Sequence, residues 1–122
     1  MGNTTPRIGA GRNIALKAPA REFDRIVAFY RDAVGLPVLR DDETSVTFEF
    51  GAMRLWIDRV PALSQAELWL ELETDDLEEA SARLAAAGAA RCDEIEPLPA
   101  DLTAGWIAAP GGVVHLLAET VG

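Results

Sequence analysis

A chain of 122 residues with 49% hydrophobic content can bury a core as one compact domain or as two small, tightly packed modules. Twenty acidic against eleven basic residues leave a formal charge of −9, which repels a phosphate backbone and excludes nucleic acid as a partner. No apolar run reaches the roughly 18 residues of a membrane span, the start lacks a secretory signal, and the lone Cys92 can form neither an internal disulfide nor a thiolate zinc site. The expectation is a reducing, cytoplasmic location.

In chain order, residues 1–11 are polar and glycine-bearing and read as a loose arm. A strand is predicted near 12–18, where Ile14 and Leu16 alternate with Asn13, Ala15 and Lys17. After Pro19 a helix runs from about Arg21 to Val34, with Phe23, Ile26, Val27, Tyr30 and Val34 at helical spacing and Gly35 as its stop. Leu36 to Leu39 begins a second strand. Ser45 to Phe50 and Met53 to Asp58 form a hairpin around Gly51-Ala52.

Residues 61–66 have no periodicity and read as a linker. The strand Leu68 to Glu73 follows, then a helix opened by a capping box of Asp75 and Glu78, with Leu77, Ala80, Leu84 and Ala87 on its apolar face. A further strand is predicted within Ala90 to Ile95. The last pair, about Ala104 to Ala108 and Val113 to Ala118, is joined by Pro110-Gly111-Gly112. Trp106 reads as a helix-facing core residue.

The order is therefore strand, helix, three strands, twice over, with the copies roughly 56 residues apart. This predicts an arm at 1–11, a first module over 12–62 and a second over 63–122. One helix covers only one face of a four-stranded sheet, so the opposite face must bind something, line a cavity or meet a partner.

The run Ile14-Ala15-Leu16-Lys17, then Ala28-Phe29-Tyr30-Arg31-Asp32 and Gly35-Leu36, resembles the first module of the vicinal oxygen chelate superfamily. Asp75-Asp76-Leu77, Ala87-Gly88 and Ala109-Pro110-Gly111-Gly112 resemble its second. That superfamily groups glyoxalase I, bleomycin-resistance proteins, fosfomycin-resistance enzymes and extradiol dioxygenases. The resemblance covers about residues 12 to 119. It implies an α+β fold of two βαβββ modules curling into an open, barrel-like cavity, often as a homodimer.

Many members hold a divalent metal through His, Gln or Glu on strands 1, 4, 5 and 8. The corresponding positions here are Asn13, Trp56, Trp69 and Leu116. Two indoles and a leucine offer no ligand atom, so the expectation is a protein with no metal and no other cofactor. By alternation the cavity face carries Asn13, Ala15, Lys17, Arg54, Trp56, Asp58, Trp69, Glu71, Glu73 and Leu116. His115, the only histidine, falls on the other side and reads as a structural, hydrogen-bonded residue.

The ligand-binding set is thus Asn13, Lys17, Arg54, Trp56, Asp58, Trp69, Glu71 and Leu116, with no catalytic residue assigned. Tryptophans among carboxylates suit a planar or cationic organic molecule. The expected function is binding of such a molecule by a homodimer, with bleomycin-resistance proteins the nearest type. The alternative is an enzyme of lyase, isomerase or dioxygenase type, in which Asp58 or Glu71 would serve as a base. Gly9-Ala10-Gly11 follows no predicted strand and does not complete a dinucleotide fingerprint.

Overall fold

The computed structural model describes residues 6–120, and these divide into two compact units, one of residues 12–69 and the other of residues 6–11 with 70–120. The strands are β1 (Ile8–Ala10), β2 (Asn13–Ala18), β3 (Val38–Asp41), β4 (Ser45–Phe50), β5 (Met53–Arg59), β6 (Glu67–Thr74), β7 (Ala104–Ala108) and β8 (Val114–Glu119). The helices are α1 (Ala20–Ala28) and α2 (Leu77–Ala86). The fold is mixed α+β. β3 and β7 are edge strands, so the sheet is open. No helix among the described residues is long and apolar enough to cross a membrane.

In the unit of residues 12–69 the strand order is β3-β4-β5-β2, with the first residues of β6 on the outer side of β2. β2 and β5 run parallel because α1 and the β3–β4 excursion lie between them in sequence; the other pairs are antiparallel. Phe23 and Val27 of α1 are buried against Val46, Phe48, Leu55 and Ile57, with Ile14, Leu16, Ile26 and Tyr30 packed at the margin. Phe48 and Ile57 are fully buried, each a contribution of roughly 1.5–3 kcal/mol by area.

The predicted helix to Val34 needs one revision. After Ala28 the chain widens into a π-helical segment, Phe29–Val34, which rotates the stripe and leaves Val34 exposed. Gly35 then ends it in the left-handed conformation, φ 83°, and the amides of Gly35 and Leu36 both donate to the Tyr30 carbonyl.

In the other unit β6 is flanked by β1, antiparallel, and by β8, parallel, with β7 antiparallel outside β8. The core is Leu77, Ala80, Ala89, Ile107 and Leu117, supported by Ile8, Leu72 and Leu84. Two sequence expectations change here. Residues 8–10, read as part of a loose arm, form β1; residues 1–5 of that arm lie outside the described residues. The strand expected within Ala90 to Ile95 is absent, reduced to one bridge between Arg91 and Ile107 and a 3-10 turn at Asp93–Ile95.

Side chains explain that loss. The Asp93 carboxylate takes the Trp106 amide at 2.8 Å, where a strand would have offered a carbonyl. Arg91 donates to Asp93 at 2.6 Å and to Ser81 on α2 at 3.2 Å. Its guanidinium lies over Gly105, where any Cβ would collide with it.

The α2 cap is also one residue later than the capping box implied. Asp76 accepts the Glu79 amide at 3.2 Å, and the Leu77 amide is taken by the Glu119 carboxylate at 2.8 Å. Asp75 instead pairs with Arg7.

Candidate functional site

The face of the first unit turned away from α1 is assembled by strand register. Val46, Phe48, Leu55 and Ile57 point to the helix, so their neighbours point the other way. One row across the ladder holds Arg40, Thr47, Trp56, Ala15 and Trp69. The row beside it holds Ser45, Asp58, Lys17 and Glu67, and on the other side lie Glu49, Arg54 and Asn13. Of the predicted ligand-binding set, this brings together Asn13, Lys17, Arg54, Trp56, Asp58 and Trp69.

Most polar groups on this face are already engaged with one another. Lys17, 3% exposed, donates from Nζ to Asp58 Oδ2 at 2.9 Å, and the same ammonium sits 4.4 Å from the centre of the Trp69 ring. Ser45 Oγ donates to the other Asp58 oxygen at 2.7 Å. The Trp56 indole N–H donates to Asn13 Oδ1 at 2.7 Å, and that of Trp69 to Glu67 Oε1 at 2.9 Å. Asp58 thus accepts a bond on each oxygen, one of them from a cation. Ser45, Thr47 and Glu67 were not singled out in the sequence, although alternation in their strands places them on this face.

Glu71 and Leu116 belong to the second unit and face each other across the β6–β8 ladder, with Trp106 next to Leu116 on β7. Trp106 therefore lies on the side away from α2, opposite to Ile107 and Leu117, and its expected helix-facing position is corrected. It is buried all the same, its indole N–H donating to the Glu96 carbonyl at 2.8 Å. Gly11 is side-chainless because the Glu71 side chain occupies the space of a Cβ there. Glu73, also on the Glu71 side of β6, pairs with Ala118 and Gly9. His115 lies on the α2 side, its Nδ1 3.0 Å from the Val113 carbonyl. Burial, with Glu94 and Asp93 nearby, pushes the Cys92 thiol up and keeps it protonated.

A groove of about 670 Å³ opens on the α1 side of the first unit, between Phe23, Val27 and Val46 and the turn at Asp41–Thr44. Its charged groups are turned on themselves. Arg59 stacks on Phe23 and pairs with Asp24, Arg31 pairs with Asp32, and the Asp42 carboxylate accepts the amides of Thr44 and Ser45. The tryptophan-bearing face is the better candidate.

The family model described as a glyoxalase-like domain matches residues 13–117. The chain belongs to this family. Among solved structures, this glyoxalase-like chain is similar to the Mn(II)-bound glyoxalase of Novosphingobium aromaticivorans, at 19% identity and TM-score 0.68, over 96% of this chain and 40% of that one. It is similar to methylmalonyl-CoA epimerase from Mycobacterium tuberculosis, at 16% identity and TM-score 0.62, over 93% and 89% of the two chains. A third is homoprotocatechuate 2,3-dioxygenase from Brevibacterium fuscum, at 21% identity and TM-score 0.63, over 94% and 37%. The chain thus spans about two fifths of the glyoxalase and of the dioxygenase, and these likenesses establish the fold of the superfamily. No curated protein matches the sequence.

The four residues that the resemblance aligns with the superfamily's metal positions do not, by their chemistry, fit a metal. Trp56, Trp69 and Leu116 have no donor atom for one, and the remaining oxygen, Asn13 Oδ1, accepts the Trp56 indole N–H. Among the described residues no group of three or more His, Cys, Asp or Glu side chains is placed to hold an ion.

Proposed function

We propose that this glyoxalase-like domain binds a small planar organic molecule on the face carrying Trp56, without the divalent metal of its metal-dependent relatives, and that it does so as a cytoplasmic homodimer. The observation that supports this most is the Asn13–Trp56 hydrogen bond. It uses the one oxygen available at those four positions to hold an indole ring in a fixed orientation. A ring locked in this way is preorganised for stacking and loses little entropy when a ligand arrives. Trp56 is half-buried, so part of its surface is still open.

The enzymatic alternative, a lyase, isomerase or dioxygenase type, draws support from the names of the solved relatives. On this face it would have to use Asp58, whose oxygens are both taken. Elemental analysis of protein purified without chelators tests the reading. The expected result is no stoichiometric nickel, zinc, iron or manganese, and one ion per chain surviving dialysis would overturn it.

A further inference from the structure

Among the described residues, Thr47 Oγ1 is the one buried side-chain oxygen or nitrogen with no hydrogen-bond partner. Thr47 is 3% exposed, in the middle of β4, and its cross-strand neighbours on the same face are Trp56 on β5 and Arg40 on β3. Val has nearly the same shape and a higher strand propensity, so packing alone gives no reason for a hydroxyl here. An orphaned hydroxyl is costly, and such groups persist where something outside the fold completes them.

The charges around it define what that something is. The whole chain is strongly acidic, yet on this face Lys17, Arg40 and Arg54 balance Glu49, Asp58 and Glu67. The cation-attracting surface of Trp69 already carries Lys17. A cationic ligand therefore meets a neutral face and an occupied ring.

Resting on the small-molecule reading above, we propose that Thr47 is the hydrogen-bonding anchor for an uncharged planar ligand that lies on the Trp56 indole. The ligand class is a neutral aromatic or heteroaromatic molecule bearing a carbonyl, hydroxyl or ring nitrogen. The Arg40 side chain, on the strand beside Thr47, is 71% exposed and pairs with Asp42 at 3.5 Å, not with the Thr47 hydroxyl.

The test uses the full chain and its Thr47→Val and Thr47→Ser variants, with quinoline, coumarin and the matched cation N-methylquinolinium as probes in ligand-observed NMR titrations. The neutral probes should bind the wild type more tightly than the cation. Thr47→Val should weaken them by about 3–10-fold, the loss of one hydrogen bond, while Thr47→Ser retains them. Without ligand, Thr47→Val should melt about 2–5 °C higher, because an unsatisfied hydroxyl has been removed.

A lower melting temperature for Thr47→Val, or unchanged affinity for the neutral probes, would overturn the anchor. Preference for N-methylquinolinium would sink the proposal while leaving small-molecule binding intact. Failure of every probe to bind the wild type would sink both.

Discussion

Lys17 keeps its ammonium at 3% exposure because Asp58 accepts from it and the Trp69 ring lies beneath it. Removing one member of a buried pair leaves the other undercompensated, and Asp58, with its side chain 23% exposed, would retain only Ser45 and water. Lys17→Met should therefore lower unfolding stability by roughly 1–3 kcal/mol in urea titrations, although its volume and apolar stem are conserved. An unchanged midpoint would mean that the pair contributes nothing net. The facing of Lys17, Trp56 and Asp58 was legible in the sequence, because β2 and β5 are apolar on one side only and a period of two admits one solution. Their partnering was not. A lysine reads as a charge turned toward solvent or ligand, and nothing in its spacing shows that a ring four strands later in sequence will cover it.

At the scale of elements, the segment from Arg91 to Asp93 replaces a strand with side-chain hydrogen bonds. The Arg91 guanidinium, and after it the Trp106 amide, hold the Asp93 carboxyl below the usual carboxylate range. A depressed folded pKa stabilises above the unfolded value of about 4, and that contribution disappears as pH falls through the folded value. Melting temperatures measured downward from about pH 6 to pH 3 should therefore fall more steeply for the wild type than for Asp93→Asn, with most of the difference below about pH 4. Parallel curves would show that Asp93 has no linkage to folding. This segment was misread as a strand because hydrophobic patterning carries no information about a carboxylate bonding to a backbone amide across the ladder. Trp106 was misphased for a related reason. Gly105 supplies no side chain to the alternation, and Trp106 and Ile107 are both buried, so neither face of β7 is marked polar. The start of α1 and the β4–β5 turn were legible because Pro19 and Gly51 punctuate the chain at positions where backbone geometry requires them, whereas Gly35 ends the π-helical segment and not α1.

At the scale of the molecule, apolar surface is left uncovered. All of edge strand β3 is exposed, including Val38 and Leu39, and Phe29, Val34 and Phe50 are more than two fifths exposed. An unprotected edge strand beside exposed aromatic and aliphatic side chains is a surface that a second copy can cover. Light scattering at micromolar concentration should give about twice the 13.1 kDa chain mass. A species of single-chain mass would remove the homodimer from the functional reading.

The division of β6 has a consequence for how the chain can be dissected. Residues 67–69 belong with the first unit, through pairing with β2, while β1, at the opposite end of the sequence, belongs with the second. The first unit is one continuous stretch, residues 12–69, whereas the second joins residues 6–11 to residues 70–120. A gene cut within the apparent linker at residues 61–66 would strip Trp69 from Lys17 in one product and β1 from β6 in the other. The boundary of the sequence repeat therefore does not coincide with the boundary of the structural units, and a cut placed by the repeat divides paired strands.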